Sequence, residues 1–289
     1  MSYIGRFAPT PTGPLHFGSL VAALASYLDA KANHGTWLLR IEDLDPPRED
    51  PEASVLIPVQ LKAHGLIWDG DIQYQSQHSQ RYEQVLVDLA NLNLVFPCNC
   101  SRKNLASCNG LHHGNCHGDI NQPHALRFLV DNQTVSFLDP IYGHYEQALN
   151  QVGDQILKRK DQLYAYQLAV LVDDHDSAVT HVVRGVDLLD NTPRQIHLLE
   201  KLGWPVPKYL HIPLITNESG QKLSKQNKAK ALELNHPIIN LISALKFLNQ
   251  ALPPVDQQKN VESLLSWSIQ HWQPNRIMPS QAGLLHSNP

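Results

Sequence analysis

Residues 3–19, which read YIGRFAPTPTGPLHFGS, decide the fold of this chain. Residues 3–8 are mostly apolar and predict a strand, the prolines that follow exclude regular structure, and a helical pattern of leucines begins at Ser19. A second apolar strand follows over residues 37–41. A strand–helix–strand unit of this length forms a parallel pair with a right-handed crossover, so the sequence predicts an α/β fold with a parallel sheet.

The turn between this strand and the helix is suited to bind phosphate. Backbone N–H groups and the helix dipole attract anions at a helix N-terminus. Three residues lie there: His16, Gly18 and Ser19. A second segment, residues 220–227 (GQKLSKQN), carries Lys222 and Lys225 in a loop flanked by serine and glycine. The glycine-rich signatures G-x-G-x-x-G and G-x-x-x-x-G-K-[ST] do not occur, which excludes the common dinucleotide and P-loop sites.

The sequence as a whole predicts four regions. Residues 1–96 are expected to form the first half of an α/β domain, 97–160 an inserted module with little periodicity, 161–236 the second half with the lysine loop, and 237–289 a helical C-terminal extension. Further helices are predicted near residues 55–65, 80–92, 237–248 and 261–271. Ser79 is the predicted N-cap of the second of these, and Thr192 caps another helix that has Pro193 as its first residue.

Composition narrows the function classes. The chain of 289 residues has a net charge of −4, so the molecule as a whole does not attract polyanions and any RNA contact needs a locally basic face. It has no apolar run of the roughly 18–20 residues that span a bilayer, and its N-terminus lacks a signal-peptide pattern. We therefore expect a cytoplasmic protein without membrane contact.

All four cysteines, Cys98, Cys100, Cys108 and Cys116, are confined to residues 98–116 of the inserted module. In a reducing compartment such a cluster indicates a metal site rather than disulfides. Zinc in a structural site takes four ligands. Cys98, Cys100 and Cys116 supply three thiolates, and the candidates for the fourth ligand are Cys108, His112, His113 and His117.

The two phosphate-binding segments resemble the HIGH and KMSKS signatures of class I aminoacyl-tRNA synthetases. Five further stretches resemble the glutamate-specific branch of that family: residues 6–13 (RFAPTPTG), 40–43 (RIED), 165–170 (AYQLAV), 172–174 (VDD) and 183–185 (VRG). The resemblance extends over about residues 3–230 in the family's order. It implies a Rossmann-type catalytic domain with an inserted zinc-binding module.

Two features set this chain apart from an ordinary glutamyl-tRNA synthetase. After Lys230 only 59 of the 289 residues remain, too few for an anticodon-binding domain of about 100 residues. Residues 45–49 (DPPRE) and 224–227 (SKQN) resemble the glutamyl-Q tRNA(Asp) synthetases, truncated relatives that activate glutamate and attach it to queuosine in the anticodon loop of tRNA(Asp). The implied partners are L-glutamate, ATP with Mg²⁺ and queuosine-containing tRNA(Asp), bound by a monomer. The alternatives are a minimal tRNA(Glu)-charging synthetase and a non-catalytic, zinc-stabilised RNA-binding paralogue.

The resemblance assigns a glutamate pocket to six residues. Arg6 and Arg184 would pair with substrate carboxylates, since guanidinium groups match carboxylate geometry. Glu42 would accept the α-ammonium group, and Tyr166 would donate or accept a hydrogen bond from the opposite wall. The remaining two residues, Ala8 and Thr10, would line the same pocket. The alternative for Arg6 and Glu42 is a structural ion pair between neighbouring strands.

The resemblance also assigns an ATP site. His16 would contact the phosphates, and Lys225, assisted by Lys222, would stabilise charge on the departing pyrophosphate. Gly18 and Ser19 complete the site, with Ser19 standing where the family signature has its second histidine. The alternative for the lysines is a solvated lysine-rich loop.

For the metal, the resemblance implies four ligands of a structural zinc ion. They are Cys98, Cys100, His112 and Cys116. His112 stands at the position where the family commonly has tyrosine, and Cys108 is its main rival. With four protein ligands no position stays open for catalysis.

Overall fold

In the computed structural model of this chain, the described residues are 2–101, 103–114, 118–215 and 231–279. The strands are β1 (Ile4–Phe7), β2 (Thr36–Ile41), β3 (Gln73–Tyr74), β4 (Val95–Cys98), β5 (Ala125–Phe128), β6 (Thr134–Asp139), β7 (Gly143–Ala148), β8 (Gln155–Lys158), β9 (His181–Gly185) and β10 (Lys208–Ile212). The α-helices are α1 (Phe17–Ala32), α2 (Pro51–Ala63), α3 (Ser79–Asn91), α4 (Tyr166–Asp176), α5 (Thr192–Lys201), α6 (Pro237–Phe247) and α7 (Val261–Gln270).

The first strands form the predicted parallel sheet. β1 pairs in parallel with β2, and β2 pairs in parallel with the short β3. β9 and β10 form a second parallel pair, in which Arg184 lies opposite His211. The two sheets meet where the N–H of Thr180 donates to the carbonyl of Ile4 at 2.9 Å and the N–H of Ile4 donates to Oγ1 of Thr180 at 2.8 Å. The predicted α/β class with a parallel sheet is confirmed.

Helix α1 packs its apolar face into the largest core. Leu20, Leu24 and Leu28 recur every fourth residue and are fully buried, and the helix packs against β1, α6 and α7. It begins at Phe17, two residues before the predicted start, because His16 caps it: Nδ1 of His16 accepts a hydrogen bond from the N–H of Ser19 at 3.2 Å.

The predicted inserted module contains antiparallel sheets. β4, β5 and β8 form one sheet, and β6 and β7 form a hairpin. β4 begins at Val95, so the first sheet crosses the predicted boundary at residue 97. Phe128 and Leu157 of this sheet share a buried cluster with Leu168 and Val172 of α4. The module is therefore joined to the α/β part by a common hydrophobic core.

Helices α2 and α3, which precede the inserted module in the chain, begin at other residues than predicted. α2 begins at Pro51, four residues before the predicted start, because Asp50 caps it by accepting from the N–H of Glu52. Ser79, the predicted cap of α3, is instead its first residue and follows His78.

The prediction that Thr192 caps α5 is wrong by one residue. Asn191 occupies the cap position and Thr192 begins the helix. The hydroxyl of Thr192 is engaged elsewhere, since it accepts from Nη2 of Arg184 at 2.7 Å and lies 3.0 Å from Nε2 of His211. A tertiary contact has thus taken the group that the local sequence pattern assigned to a cap.

The C-terminal helices α6 and α7 end within one residue of their predicted ends and pack against α1. The indole of Trp272, which follows α7, donates to Oδ1 of Asp29 at 2.8 Å. Among the described helices we find none with the length and apolar composition needed to span a bilayer.

Candidate active site

One cavity opens at the carboxyl ends of β1, β2, β9 and β10, where ligands of parallel sheets bind. Its volume is about 410 Å³, within the range of small-molecule sites. Nine residues predicted to bind glutamate or ATP line it: Arg6, Ala8, Thr10, His16, Gly18, Ser19, Glu42, Tyr166 and Arg184. Lys222 and Lys225 lie outside the described residues. The structure thus gathers the described candidates in one place, and their individual roles stay predictions.

Arg6 is held by an aspartate of α4. Its Nε lies 3.0 Å from Oδ1 and 3.2 Å from Oδ2 of Asp174, and Nη2 of Arg40 donates to the same carboxylate at 2.6 Å. The ion pair considered between Arg6 and Glu42 is therefore replaced by one with Asp174. Since Nε faces Asp174, the two terminal nitrogens of Arg6, which meet no acceptor among the described residues, are suited to grip a carboxylate at both oxygens.

Glu42 follows β2 and is 8% exposed. Its Oε1 meets no hydrogen-bond partner within the described part of the chain. Burial raises the pKa of Glu42 to about 7, against the opposing charges of Arg40 and Arg6. A buried carboxylate oxygen that lacks a hydrogen-bond partner favours binding of a cation, and an ammonium group could donate a hydrogen bond to it.

Arg184, in β9, is fixed on three sides. Nε donates to Nε2 of His211 at 3.2 Å, Nη2 donates to Oγ1 of Thr192 at 2.7 Å, and the guanidinium carbon lies 5.1 Å from the ring centre of Tyr209. Arg184 is 7% exposed and contributes to the cavity wall. The cavity therefore presents two guanidinium groups, which is what a ligand with two carboxylates requires.

The walls between these charged groups come from strand ends. Ala8 and Thr10 follow β1, and the N–H of Glu42 donates to the carbonyl of Pro9 at 3.0 Å, which ties this segment to the end of β2. Tyr166 begins α4, and burial raises the pKa of its phenol, which therefore stays protonated at neutral pH.

His16 lines the cavity where α1 begins. Because its Nδ1 accepts from the N–H of Ser19, Nε2 carries the ring proton and is the nitrogen suited to donate to a phosphate oxygen. The same bond occupies the N–H of Ser19, so this backbone donor is not available to an anion. The sequence had predicted Ser19 as part of the phosphate site. The N–H groups of Phe17 and Gly18, in the first turn, are the remaining donors.

The segment that follows the lysine loop, at Ala231 and Leu232, is hydrogen-bonded to this turn. The N–H of Leu232 donates to the carbonyl of Leu15 at 2.7 Å, and Ala231 forms an antiparallel bridge with His16. Gln60 of α2 holds both segments: Oε1 accepts from the N–H of Leu15 at 2.7 Å, and Nε2 donates to the carbonyls of Leu15 and Leu232 at 3.4 and 3.3 Å.

The module contains a group that could hold a metal ion. The ligand atoms of Cys98, Cys100 and His112 lie within 4.8 Å of one another. The fourth predicted ligand, Cys116, lies outside the described residues, and the rival Cys108 is exposed and not part of this group. Two sulfurs and one imidazole are a donor set that suits zinc.

Asp154 orients the histidine of this group. Its Oδ2 lies 2.9 Å from Nδ1 of His112, and its side chain is fully buried. The carboxylate also accepts from the backbone N–H groups of Gly114 and Val130. With Nδ1 directed at Asp154, Nε2 is the nitrogen that can ligate a metal, an arrangement common around zinc-bound histidines.

Comparison with known proteins places the chain in a family. The family model for the catalytic domain of class I tRNA synthetases (E and Q) matches residues 4–236. A glutamyl-Q tRNA(Asp) synthetase of Pectobacterium atrosepticum is 45% identical over 285 residues, 98% of this chain and 88% of that protein. One of Pseudomonas putida KT2440 is 48% identical over 279 residues, 96% of this chain and 93% of that protein. The chain belongs to the glutamyl-Q tRNA(Asp) synthetase family.

A solved structure shares the fold of this family member. The glutamate tRNA ligase of Elizabethkingia meningosepticum, crystallised with its amino acid, matches with a TM-score of 0.81 at 22% identity. The match covers 97% of this chain and 66% of the ligase, so the chain spans just under two thirds of the ligase's length. The family model over residues 4–236 confirms the predicted class I synthetase catalytic domain, and this structure shares its fold.

Sequence reasoning assigned no role to four aspartate and histidine side chains that support the sites of this family member, although Asp174 belongs to the stretch 172–174 that resembles the family. They are Asp139, Asp154, Asp174 and His211. Two adjacent acidic residues in the apolar helix α4 are a usable signal, because buried aspartates are rarely left unpaired. His211 and Asp154 stand in short strands or loops whose local pattern says nothing about their distant partners.

Proposed function

We propose that this chain activates L-glutamate with ATP and transfers the glutamyl group to queuosine in the anticodon loop of tRNA(Asp). The observation that carries the activation step is the single cavity in which Arg6, Arg184 and Glu42 offer two cations and one anion beside the N-terminus of α1. These charges complement the two carboxylates and the ammonium group of glutamate, and the helix N-terminus complements phosphate. The acceptor is supported by the family to which the chain belongs.

In the first step an oxygen of the glutamate α-carboxylate attacks the α-phosphorus of ATP. The bond from that phosphorus to its bridging oxygen breaks, and pyrophosphate leaves with the electron pair. Arg6, Glu42 and Arg184 hold the amino acid, and His16 donates from Nε2 to a phosphate oxygen. Lys225 and Lys222 stabilise the departing charge, and Mg²⁺ accompanies the nucleotide. Glutamyl-adenylate is the product, and no covalent bond to the protein is required.

In the second step a hydroxyl oxygen of the queuosine ring attacks the carbonyl carbon of glutamyl-adenylate. The hydroxyl releases its proton, and AMP leaves with the electrons of the carbon–oxygen bond. Because the net charge of the chain is −4, an approach of RNA to the cavity requires a locally basic part of the surface.

We further propose that Cys98, Cys100, His112 and Cys116 hold one zinc ion. The buried cluster of two sulfurs and one imidazole, with Asp154 behind His112, supports this assignment. The ion would cross-link β4 to the loop that contains His112 and take no part in the reaction.

The predicted monomer and its cytoplasmic location belong to this proposal as well. Light scattering of the purified protein measures the molar mass, and a value near 32.5 kDa, that of one chain, is expected for the predicted monomer.

Two assays test the proposal. Pyrophosphate exchange with glutamate and ATP, in the absence of RNA, is expected to proceed. Failure would contradict the proposed activation of glutamate and favour the non-catalytic RNA-binding paralogue. Transfer of labelled glutamate is then measured with three RNAs: tRNA(Asp) with queuosine, the same tRNA without queuosine, and tRNA(Glu). We expect labelling of the first alone. Labelling of tRNA(Glu) instead would identify a minimal tRNA(Glu)-charging enzyme.

A further inference from the structure

Two buried side chains connect the inserted module to Arg184. Asp139 ends β6 in the module, His211 lies in β10, and Arg184 lies beside it in β9. Oδ2 of Asp139 lies 2.8 Å from Nδ1 of His211, and Nε2 of His211 accepts from Nε of Arg184 at 3.2 Å. The side chains of Asp139 and His211 are fully buried and do not line the cavity.

Asp139 is itself held rigidly. Oδ1 accepts from the backbone N–H groups of Ile141 and Tyr142 at 2.8 and 3.0 Å. Oδ2 accepts from the backbone N–H of His211 at 2.9 Å as well as from the imidazole. Four N–H groups therefore fix one carboxylate, and such charge-assisted hydrogen bonds are stronger than neutral ones.

This arrangement determines which nitrogen of His211 carries the proton. Since Nδ1 donates to Asp139, Nε2 is the acceptor that Arg184 requires, and a protonated ring would offer none. Burial lowers the pKa of His211 to about 4; the charge of Arg184 lowers it too, while Asp139 and Asp187 oppose the shift. The ring is therefore neutral at physiological pH.

The consequence for Arg184 is a fixed orientation. His211 holds Nε, and Thr192 and the carbonyl of Leu188 hold Nη2 at 2.7 and 3.4 Å. Nη1 donates to no acceptor in the part of the chain that is described. A guanidinium group fixed before its ligand arrives loses less conformational entropy when the ligand binds.

We propose that Asp139 and His211 are positioning residues, which orient the guanidinium of Arg184 toward a carboxylate of the bound amino acid. The hairpin of β6 and β7 thereby helps to set the affinity of the cavity for glutamate, although neither residue touches it. This inference rests on the proposed activation of glutamate.

The test is pyrophosphate exchange with His211→Leu, which removes the acceptor for Nε of Arg184. We expect KM for glutamate to rise about 10- to 100-fold, as for the loss of a hydrogen bond to a charged group, with KM for ATP unchanged. His211→Gln keeps an amide oxygen near the position of Nε2, and we expect it to restore most of the glutamate affinity. Asp139→Asn, which is close in shape to the native residue, is expected to raise KM for glutamate in the same direction and carries the test if His211→Leu does not fold.

His197→Leu is the matched control. His197, in α5, is also fully buried, and its ring nitrogens have no hydrogen-bond partner among the described residues. We expect this variant to leave both KM values unchanged. The inference is overturned if Asp139→Asn and His211→Leu keep KM for glutamate within about twofold of the unaltered protein, or if KM for glutamate and KM for ATP rise together. Failure of the unaltered protein to exchange pyrophosphate with glutamate would instead overturn the proposed function.

Discussion

At the scale of single residues, burial sets the chemistry of the cavity. Glu42 and Asp174 are both buried carboxyl groups, yet their pKa values shift in opposite directions. Arg6 and Arg40 donate hydrogen bonds to Asp174 and lower its pKa despite burial, whereas burial prevails at Glu42, whose pKa rises. Asp174 is thus a fixed structural anion, and Glu42 is a carboxyl group that changes charge near neutral pH.

The pKa of Glu42 predicts how glutamate binding depends on pH. Only the ionised carboxylate attracts the ammonium group, and with a pKa of about 7 the ionised fraction decreases as the pH falls through neutrality. We expect the affinity for glutamate to fall about tenfold between pH 8 and pH 6. Titration calorimetry with glutamate checks this, and Glu42→Gln, which cannot ionise, should bind weakly at both pH values. Equal affinity of the unaltered protein at the two pH values would contradict the assignment.

Lys225 is predicted to act on the reaction rather than on binding. Lys225→Ala should lower the rate of pyrophosphate exchange by about 10²–10³-fold, because stabilisation of transition-state charge is worth roughly 3–4 kcal/mol. Glutamate binding should stay unchanged. Lys230→Ala, in the same lysine-rich segment, is the control and should keep full exchange activity. Unchanged turnover of Lys225→Ala would favour the solvated-loop alternative.

At the scale of elements, one buried glutamine joins three segments. Gln60 of α2 contacts the backbone of the turn before α1 and of the segment at Leu232. Replacing it by leucine removes the partner of two backbone groups, the N–H of Leu15 and the carbonyl of Leu232, each worth about 1–3 kcal/mol when buried.

We therefore expect Gln60→Leu to lower the free energy of unfolding by about 2–4 kcal/mol, measured by denaturant titration. Gln250→Leu is a control of the same kind, because Gln250 also bridges backbone groups, at Leu248 and Gln273 near the C-terminal helices. Both variants should lose stability, and Gln60→Leu alone should also lower pyrophosphate exchange, since only Gln60 holds the turn at His16.

The elements themselves were largely predictable. β1, α1 and β2 have hydrophobic periodicity that local patterns report, and their predicted bounds differ from the structure by at most two residues. The start of α2 differs by four residues, because Asp50 caps the helix ahead of its hydrophobic pattern. Thr192 does not cap α5, since its hydroxyl is bound to Arg184 of strand β9 instead.

At the scale of the whole molecule, the metal group shows that the inserted module depends on contacts between residues far apart in the chain. Asp154 is separated from His112 by 42 positions but hydrogen-bonds to it. It also holds the backbone at Val130. A metal ion bound by Cys98, Cys100 and His112 would cross-link two such segments. It would therefore stabilise a module whose sheets are small.

Removal of the metal tests this role. Asp154→Asn should weaken zinc binding about 10- to 100-fold, as loss of a carboxylate behind a ligating histidine does. Competition with a chromophoric chelator measures the affinity. Asp119→Asn, at an exposed aspartate of the same module, is the control and should bind zinc normally. A chelator is expected to lower the melting temperature of the unaltered protein, and native protein without bound zinc would contradict the proposal.

By itself, the sequence determined the parallel α/β class and the family signatures, because hydrophobic periodicity and short motifs are local properties of the chain. It also singled out the nine residues that the fold gathers around one cavity. Only the tertiary structure decided the partners of those residues: that Asp174 holds Arg6, that His211 and Asp139 hold Arg184, and that Oε1 of Glu42 is buried without a hydrogen-bond partner in the described part of the chain. The physical reason is that burial and charge pairing depend on segments far apart in the chain, whose approach no local pattern encodes.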